Sequence, residues 1–426
     1  MGLTRPVANP DLYPPLREEV ARLAASPEVR AVFDRFRSDE SQFALWQMEA
    51  TKIAAPPFGE APRGAWLADR FREIGLHEVH IDKAGNVFGI LPGYGSRFVS
   101  LSAHIDTVFP AEAPLDIRQQ GSRLYGPGVS DNSAGIAAML AVASVLASTR
   151  ISHALPFLFI GNVGEEGEGD LRGMRHVFAT PRWRDAIAYS VIVDGAGTDT
   201  IVAEALGSRR FEAIVRGPGG HSWSDFGAPN PIIALARAVE AFSRTPLPSS
   251  PKSTFNVGVI RGGTSVNSIP ESASMKVDLR STSAAEIDRL ESALRLAIEQ
   301  AVASENRSVA ERGNPLPLAV QRILQKSVAS EVVEIGNRPA GELAADARLL
   351  KVIRAVDAHL GNTAQVERAS TDANIPLSLG REAISIGGGG SGGGVHTLQE
   401  WFDCHGRDLG LRRILLTMLT LSGAGE

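Results

Sequence analysis

The sequence predicts an α/β protein whose main domain is interrupted by a smaller α+β domain. Short apolar runs at residues 155–160 and 191–193 alternate with helical segments, which is typical of a sheet covered on both faces. From about residue 209 the pattern changes, because apolar and polar residues alternate at 211–216 and 274–280, as in strands with one solvated face. A chain of 426 residues has room for roughly two or three domains.

The first part of the main domain contains helices followed by strands. Apolar spacing predicts helices within residues 16–75, with Gly75 as a C-terminal cap. Residues 135–147 are apolar on nearly all sides, which indicates a buried helix. The earlier strands are expected at 79–81, 87–91 and 98–102, the last leading into His104.

The interrupting domain is predicted over residues 209–338, and the main domain over 1–208 and 339–426. Two helices on a four-stranded sheet would make the insert a compact α+β unit. Its helices are expected at 231–242 and from 284 to about 303, and its strands at 211–216, 253–260, 274–280 and 330–335. After Pro339 the helix–strand alternation resumes and ends in a strand at 383–386, a glycine tract and a C-terminal helix.

Composition excludes several classes of partner and site. A net charge of −5 gives no reason to expect nucleic acid or an anionic membrane surface. Cys404 is the single cysteine, which excludes an intrachain disulfide and a multi-thiolate zinc site and fits a reducing compartment. The N-terminus shows no apolar core of signal-peptide length, and the longest apolar run, 136–147, is too short to span a bilayer. We therefore expect a cytoplasmic protein.

The first candidate for chemistry is the pair His104 and Asp106, at the end of an apolar strand. The carboxyl ends of strands in α/β sheets are where ligand sites form. Spaced by two, the side chains leave the same face, so Asp106 could orient an imidazole that binds a metal ion. The alternative is a turn that happens to contain both residues.

Asp131 follows a glycine-rich segment and precedes the predicted buried helix. An aspartate in this place is usually an N-cap, which accepts backbone N–H groups at the helix start. A carboxylate also has two oxygens and could bridge two cations. Both interpretations stay open from the sequence.

Three further acids follow strand ends. Glu165 and Glu166 lie in an acidic glycine loop, which could be a solvated connection or could divide metal binding and proton transfer between neighbours. Asp194 ends the strand at 191–193 and precedes Gly195, so an ordinary Asp-Gly turn is the alternative to a metal ligand.

Two histidines stand beside glycines. His396 ends the tract at 387–395, which could be a flexible linker, a phosphate loop lacking its Gly-Lys-Ser/Thr ending, or a backbone built for close approach to a ligand. The linker is disfavoured because a strand precedes the tract and a helix follows it. His221 follows two glycines in the insert, and the other histidines are expected at the surface or satisfied in the core.

Taken together, these segments resemble the aminoacylase, carboxypeptidase G and peptidase T family of co-catalytic zinc hydrolases. The His-x-Asp pair, the glycine-rich Asp-Asn, the Glu-Glu pair, the later Asp and the glycine-rich His occur in the family's order from about residue 40 to the end. The resemblance implies a catalytic domain with a mixed sheet between helices and an α+β lid or dimerisation domain.

The resemblance also implies two divalent metal ions, Zn²⁺ or, in its place, Co²⁺ or Mn²⁺. His104 and Asp194 would bind one ion. Glu166 and His396 would bind the other, and Asp131 would bridge them. Nitrogen and oxygen donors of this kind suit a borderline-soft cation such as zinc.

Catalytic and substrate-binding residues are implied in the same way. Glu165 would be the general base for a metal-bridged water, and Asp106 would brace His104. His221 matches a family Gly-Gly-His that reaches the active site of the partner subunit in dimers. Asn267 and Arg280 match positions that bind the substrate's carboxylate.

The sequence departs from the family pattern at two positions, and a third position resembles one branch of the family more than another. Ser133 stands where many members have Lys, and the substrate-pocket position Asn374 stands where relatives often carry Arg. Asp194, rather than Glu, resembles the aminopeptidase and dipeptidase branch more than the carboxypeptidase and deacylase branch.

The leading hypothesis is hydrolysis of di- or tripeptides by a zinc exopeptidase, and the runner-up is an N-acyl-amino-acid amidohydrolase. A binding protein that kept the fold without catalysis is a third hypothesis. It is disfavoured because Glu165 and every candidate ligand are present.

Overall fold

A computed structural model describes residues 14–149, 151–311 and 327–424, with only the backbone at 309–311. The extreme N-terminus, which the sequence predicts to lack a signal-peptide core, lies outside these ranges. The chain divides into a larger unit, Met1–Ala205 with Gly341–Glu426, and a smaller unit, Leu206–Ala340. Among the helices within the described ranges, none is long and apolar enough to cross a membrane.

The described helices begin and end at residues suited to those positions. Ser26 caps the second helix by accepting the N–H of Val29 at 3.3 Å, and Gly75 ends the fourth in the left-handed conformation, as predicted. In chain order the helices are α1 (Pro14–Ala25), α2 (Pro27–Ser38), α3 (Glu40–Lys52), α4 (Ala61–Ile74), α5 (Ser133–Ser148), α6 (Arg172–Ala179), α7 (Pro181–Ala186), α8 (Pro231–Ser243), α9 (Ala284–Glu311), α10 (Arg348–Leu360), α11 (Asn374–Ser378) and α12 (Arg407–Ser422). Helix α9 therefore continues beyond the predicted end near residue 303.

Each strand expected from the sequence is present, with small shifts in its ends. In chain order the strands are β1 (His77–Ile81), β2 (Val87–Leu91), β3 (Phe98–His104), β4 (Arg118–Gln120), β5 (Arg123–Tyr125), β6 (Phe157–Asn162), β7 (Ile187–Val193), β8 (Thr200–Ala205), β9 (Gly207–Arg216), β10 (Gly220–His221), β11 (Ser253–Gly262), β12 (Ser268–Ile269), β13 (Ser272–Ser281), β14 (Ala329–Arg338), β15 (Gly341–Glu342), β16 (Gln365–Ala369), β17 (Glu382–Ile386), β18 (Ser391–Gly393) and β19 (Trp401–Asp403).

A mixed sheet organises the larger unit, in the order β1-β2-β6-β3-β7-β17-β8-β15, with β16 also pairing with β8. Strands β6, β3, β7 and β17 are parallel to their neighbours in that run. Their carboxyl ends therefore meet at one edge of the sheet, where His104 ends β3 and Asp194 follows β7. The mixed α/β fold class expected from the sequence is confirmed.

The core of the larger unit lies against this sheet. Helix α5 is buried on nearly all sides, as its composition predicts, and Leu140 within it is fully buried. Leu101 of β3 and Val191 of β7 belong to the same apolar cluster, together with Leu415 of α12. Burial of such side chains contributes about 1.5–3 kcal/mol each and fixes the strand ends that carry the site.

A second, four-stranded sheet in the larger unit, β18-β19-β5-β4, is not predicted by the sequence. Its strands have three residues each, and β4 is exposed along its whole length, so no alternation of buried and solvated residues marks it. Strand β18 lies in the glycine tract, so this sheet positions the segment that carries His396.

The smaller unit is an antiparallel sheet, β11-β13-β9-β14, with α8 and α9 packed on it. Phe211, Val277 and Leu294 share its apolar core. The short strands β10 and β12 form a separate ladder that pairs His221 with Ser268.

Candidate metal centre

His104 is the last residue of β3 and is almost completely buried. Its Nε2 atom lies 3.0 Å from Oδ1 of Asp131 and 3.7 Å from Oδ1 of Asp194. The two aspartates come from the loop before α5 and from the end of β7, so the sheet edge brings three separate segments to one imidazole nitrogen.

Asp106 lies beneath this histidine and is fully buried. Its Oδ1 is 3.6 Å from His104 Nδ1, while its backbone oxygen is closer to that nitrogen, at 3.2 Å. The carboxylate accepts the backbone N–H of Glu165 at 3.0 Å and that of Glu166 at 2.7 Å. Asp106 therefore holds the Glu-Glu loop as well as facing His104, a contact that the sequence pattern does not reveal.

Asp131 is not the N-cap of α5. That position belongs to Asn132, whose Oδ1 accepts the N–H of Gly135 at 3.1 Å. The Asp131 carboxylate instead divides its oxygens, with Oδ1 3.0 Å from His104 Nε2 and Oδ2 3.0 Å from His396 Nε2. Among the described residues, the buried Oδ1 has no hydrogen-bond partner of good geometry.

His396 completes the second half of the cluster. Its Nε2 lies 2.9 Å from Oε1 of Glu166, which is buried. The backbone of His396 has φ of 65°, in the left-handed region that non-glycine residues adopt uncommonly. Such conformations concentrate at functional sites, where the surrounding structure enforces them. Here the conformation presents a half-exposed imidazole to two carboxylates.

The glycine tract before His396 is packed against protein backbone. A Cβ on Gly387 would lie 2.3 Å from the carbonyl oxygen of Ala196, and one on Gly389 would lie 2.5 Å from that of Arg407. Gly388 donates its N–H to Gly195 O at 3.0 Å. The tract is therefore not a flexible linker, and close approach to neighbouring backbone accounts for these glycines.

The titration of the cluster follows from its crowded carboxylates. Burial lowers the pKa of His104, but the carboxylates of Asp106, Asp131 and Asp194 outweigh it and hold that pKa well above its usual value. Contact with Asp131 raises the pKa of His396 to about 9. Burial and the charge of Asp131 raise the pKa of Glu166. Without a cation, the site thus draws protons onto its imidazoles.

These side chains fit divalent cations. Three groups in the described part of the chain place their donor atoms within 4.8 Å of one another: His104 with Asp131 and Asp194, His104 with Glu165 and Glu166, and Asp131 with Glu166 and His396. Nitrogen and carboxylate oxygen donors suit zinc. Four carboxylates face two imidazoles in these groups, and Asp131 Oδ1 lacks a hydrogen bond of good geometry to any described residue, so the cluster can accommodate additional positive charge.

Several buried residues that support the site were not predicted from the sequence. Glu400 accepts three backbone N–H groups of the loop that ends in Asp131, and burial raises its pKa to about 7. Asp372 accepts Nδ2 of Asn162 at 2.6 Å, and burial raises its pKa to about 7. Arg63 donates to the backbone oxygen of Ile105 at 3.0 Å. The only sequence signal for Glu400 is an acid four residues after His396.

Asn374 is fully buried and lies at the start of α11. Its Oδ1 accepts the backbone N–H of Thr371 at 2.9 Å, so the side chain shapes the turn that carries Asp372. Complete burial argues against direct contact with substrate, and substrate binding by Asn374 stays a prediction.

The remaining predicted residues lie in the smaller unit. His221 Nδ1 accepts the backbone N–H of Trp223 at 3.2 Å, so its Nε2 carries the proton and can donate. The N–H of Ser222 donates to Asn267 O at 2.9 Å, so Asn267 lies near His221 at the end of the β10–β12 ladder.

Arg280 lies at the other end of the smaller unit's sheet. Its Nε donates to Asp278 at 2.6 Å. It stands eight residues along β13 from Ser272, which is about 26 Å at the rise of a strand. The structure thus brings His221 and Asn267 together and leaves Arg280 apart from them within this unit.

Comparison with known proteins shows which family the chain belongs to. The sequence profile of the peptidase family M20/M25/M40 matches residues 100–417, about three quarters of the chain. The chain belongs to this peptidase family. That membership confirms the family expected from the resemblance.

Among curated relatives of this M20/M25/M40 member is a probable carboxypeptidase of Aspergillus clavatus, 30% identical over 247 residues. The match covers 52% of this chain and 54% of the relative. The chain thus spans about half the length of the curated relatives it matches.

Solved structures share the fold of this family member. A tripeptidase of Staphylococcus aureus has a TM-score of 0.70 at 20% identity, covering 90% of this chain and 98% of that one. Human carnosine dipeptidase 1 has a TM-score of 0.68 at 14% identity, covering 92% and 98%. An aminopeptidase of Bacillus cereus has a TM-score of 0.69 at 20% identity, covering 90% and 98%.

Proposed function

We propose that this protein is a zinc-dependent exopeptidase that hydrolyses the amide bond of di- or tripeptides. The observation that carries the proposal is the division of the Asp131 carboxylate, which places one oxygen 3.0 Å from His104 Nε2 and the other 3.0 Å from His396 Nε2. Membership of a peptidase family and the fold shared with a tripeptidase support it.

His104 and Asp194 would hold one ion, Glu166 and His396 a second, and Asp131 would contribute an oxygen to each. Two such ions, when bound, polarise the substrate's carbonyl group and lower the pKa of a water molecule to near neutrality. Zinc suits this mixed nitrogen and oxygen donor set.

Glu165 is the proposed general base. Its carboxylate is buried and lies in the same donor cluster as His104 and Glu166, and Asp106 fixes its backbone. Glu165 would take the proton of the attacking water and deliver it to the nitrogen of the departing amine. In this proposal Glu165 would stand beside the ligand Glu166 and keep its carboxylate available for proton transfer.

His221 would stabilise the oxyanion that forms on the carbonyl. The backbone N–H of Trp223 donates to its Nδ1, so Nε2–H would be the donor in this role. Following the family resemblance, we propose a homodimer in which His221 serves the partner's site, with Asn267 beside it to bind the substrate's carboxylate.

Turnover of matched substrates tests the proposed function. The purified protein with added Zn²⁺ is assayed on free dipeptides and on the same dipeptides N-acylated at the α-amine. Hydrolysis of the free set supports the exopeptidase, while cleavage of the acylated set alone would establish the runner-up, an N-acyl-amino-acid amidohydrolase. Glu165→Gln should bind zinc normally and lose about 10²- to 10⁴-fold in kcat. Unchanged turnover would remove Glu165 from the mechanism.

Mixing two inactive variants tests the proposed dimer. Subunits carrying Glu165→Gln are exchanged with subunits carrying His221→Ala. If His221 acts across the interface, each mixed dimer regains one site, and random mixing restores about a quarter of wild-type activity. No recovery despite proven subunit exchange, or a fully active monomer in sedimentation, would contradict the proposal.

A further inference from the structure

Glu400 lies four residues after His396, immediately before β19, and is completely buried. A buried carboxylate is costly unless several donors satisfy it. The segment around it is short and turned, with Glu400 N donating to Thr397 O at 3.2 Å. Glu400 is therefore rigidly connected to the residue proposed as a ligand of the second ion.

The Glu400 carboxylate is satisfied entirely by the loop that ends in Asp131. Oε2 accepts the N–H of Gly128 at 2.8 Å, and Oε1 accepts those of Ser130 and Asp131, each at 2.7 Å. The backbone oxygen of Glu400 also accepts the N–H of Gly126 at 2.9 Å. One residue thus receives four donors from a six-residue stretch.

The opposite side of the same loop is held by an independent buried contact. Gln47 donates its Nε2 to the backbone oxygen of Val129 at 2.6 Å, and Arg407 donates to the Gln47 side chain. Gln47 and Arg407 are both buried. The loop is therefore held from two sides. Its N–H groups donate to Glu400, and its Val129 carbonyl oxygen accepts from Gln47. Asp131 lies at the end of this loop.

We propose that Glu400 is a positioning residue that sets Asp131 relative to His396 and thereby determines the affinity of both metal sites. This inference rests on the proposed metal-dependent function. Asp131 is the one side chain that would serve both ions, so a shift of its backbone alters both sites at once. His396 is tied to the same residue through the short segment that separates them.

The chemistry of these contacts requires a carboxylate. A glutamine offers one acceptor oxygen in place of two and presents an NH₂ group to a backbone N–H. Glu400→Gln would therefore lose at least one of the three loop hydrogen bonds and oppose another donor. Residues that support metal ligands typically change metal affinity or activity by about 10- to 100-fold when mutated.

The matched control is Glu382→Gln. Glu382 also accepts a backbone N–H, that of Leu349 at 2.8 Å, but it does so at the start of α10 and β17 rather than beside the metal centre. The same chemical change there removes the same charge from the larger unit. It should leave metal affinity within about twofold of wild type.

The experiment measures the zinc dissociation constants of metal-free wild type, Glu400→Gln and Glu382→Gln by competition with a chromophoric chelator. We expect Glu400→Gln to weaken both binding events by about 10- to 100-fold, and Glu382→Gln to weaken neither. Zinc affinities of Glu400→Gln within about twofold of wild type would overturn the proposal, as would weakening confined to one ion.

Hydrogen exchange of the wild-type protein covers the case in which Glu400→Gln does not fold. The amides of Gly128, Ser130 and Asp131 should exchange slowly in the metal-free protein, because Glu400 holds them in a buried network. Fast exchange of all three would overturn the proposal. A wild-type protein that binds no zinc at all would instead reject the proposed function, so the two failures are distinguishable.

Discussion

Asp106 offers the sharpest mutational test of how the centre is built. The substitution Asp106→Asn keeps the size of the side chain and replaces one carboxylate oxygen with an NH₂ group. In the wild type both oxygens are used, because Oδ1 accepts the N–H of Glu165 at 3.0 Å and Oδ2 that of Glu166 at 2.7 Å. The asparagine side chain can satisfy only one of these N–H groups and turns a donor toward the other.

The magnitude follows from these two hydrogen bonds. Losing one charge-assisted hydrogen bond and leaving its buried N–H unpaired costs about 2–3 kcal/mol in the free energy of unfolding. The Glu-Glu loop also loses one of the two hydrogen bonds that hold it to Asp106. We expect kcat/KM to fall by about 10- to 100-fold, equivalent to about 1.4–2.7 kcal/mol of transition-state stabilisation.

The assay combines kcat/KM on a dipeptide with urea unfolding of zinc-loaded and metal-free protein. Glu382→Gln is the control, because Glu382 accepts the N–H of Leu349 at 2.8 Å at the start of β17, away from the cluster. If Asp106→Asn keeps both stability and kcat/KM close to wild type while the control also does, the loop is positioned by other contacts and the reasoning is refuted.

Two further predictions concern protonation and the support beneath the loop. His396 has a pKa of about 9, so it is protonated near neutral pH in the metal-free protein, and zinc binding should release a proton that calorimetry in buffers of different ionisation enthalpy detects. The release should decline as the pH rises through about 9, and a release that does not change with pH across this range would contradict this origin. Arg63 donates to the backbone oxygens of Ile53 and Ile105, each at 3.0 Å. Arg63→Met should destabilise the protein by about 2–4 kcal/mol in urea unfolding, because it leaves one buried and one partly buried carbonyl unpaired. An unchanged unfolding midpoint would show that solvent or neighbouring donors replace the guanidinium.

The strand ends that carry the centre were predictable because short segments of sequence are enough to show them. Uninterrupted apolar runs mark buried strands, and polar residues that directly follow them must lie at the sheet edge. This reasoning located His104 and Asp194 and the loop of Glu165. It also predicted the buried helix α5, because a helix that is apolar on nearly all sides must be covered by other parts of the protein.

The supporting residues were not predictable in this way. Glu400 and Asp131 lie 269 residues apart, and no local pattern links an acid after a glycine tract to three amides of a distant loop. Asp372 and Arg63 likewise have nothing in their neighbourhood that distinguishes them from surface charges. The four short strands of the second sheet have too few residues to show alternation.

The sequence by itself determined the fold class, the family and the set of imidazoles and carboxylates available for metal binding. Tertiary structure alone decided which contacts each of those groups makes. Asp131 could have capped a helix, but Asn132 takes that role and leaves the Asp131 carboxylate to two histidines. Asp106 faces His104 and also clamps the following loop. The physical reason is that a carboxylate has the same chemistry at every position, so its role is set by the donors and charges that the fold places within reach of its two oxygens.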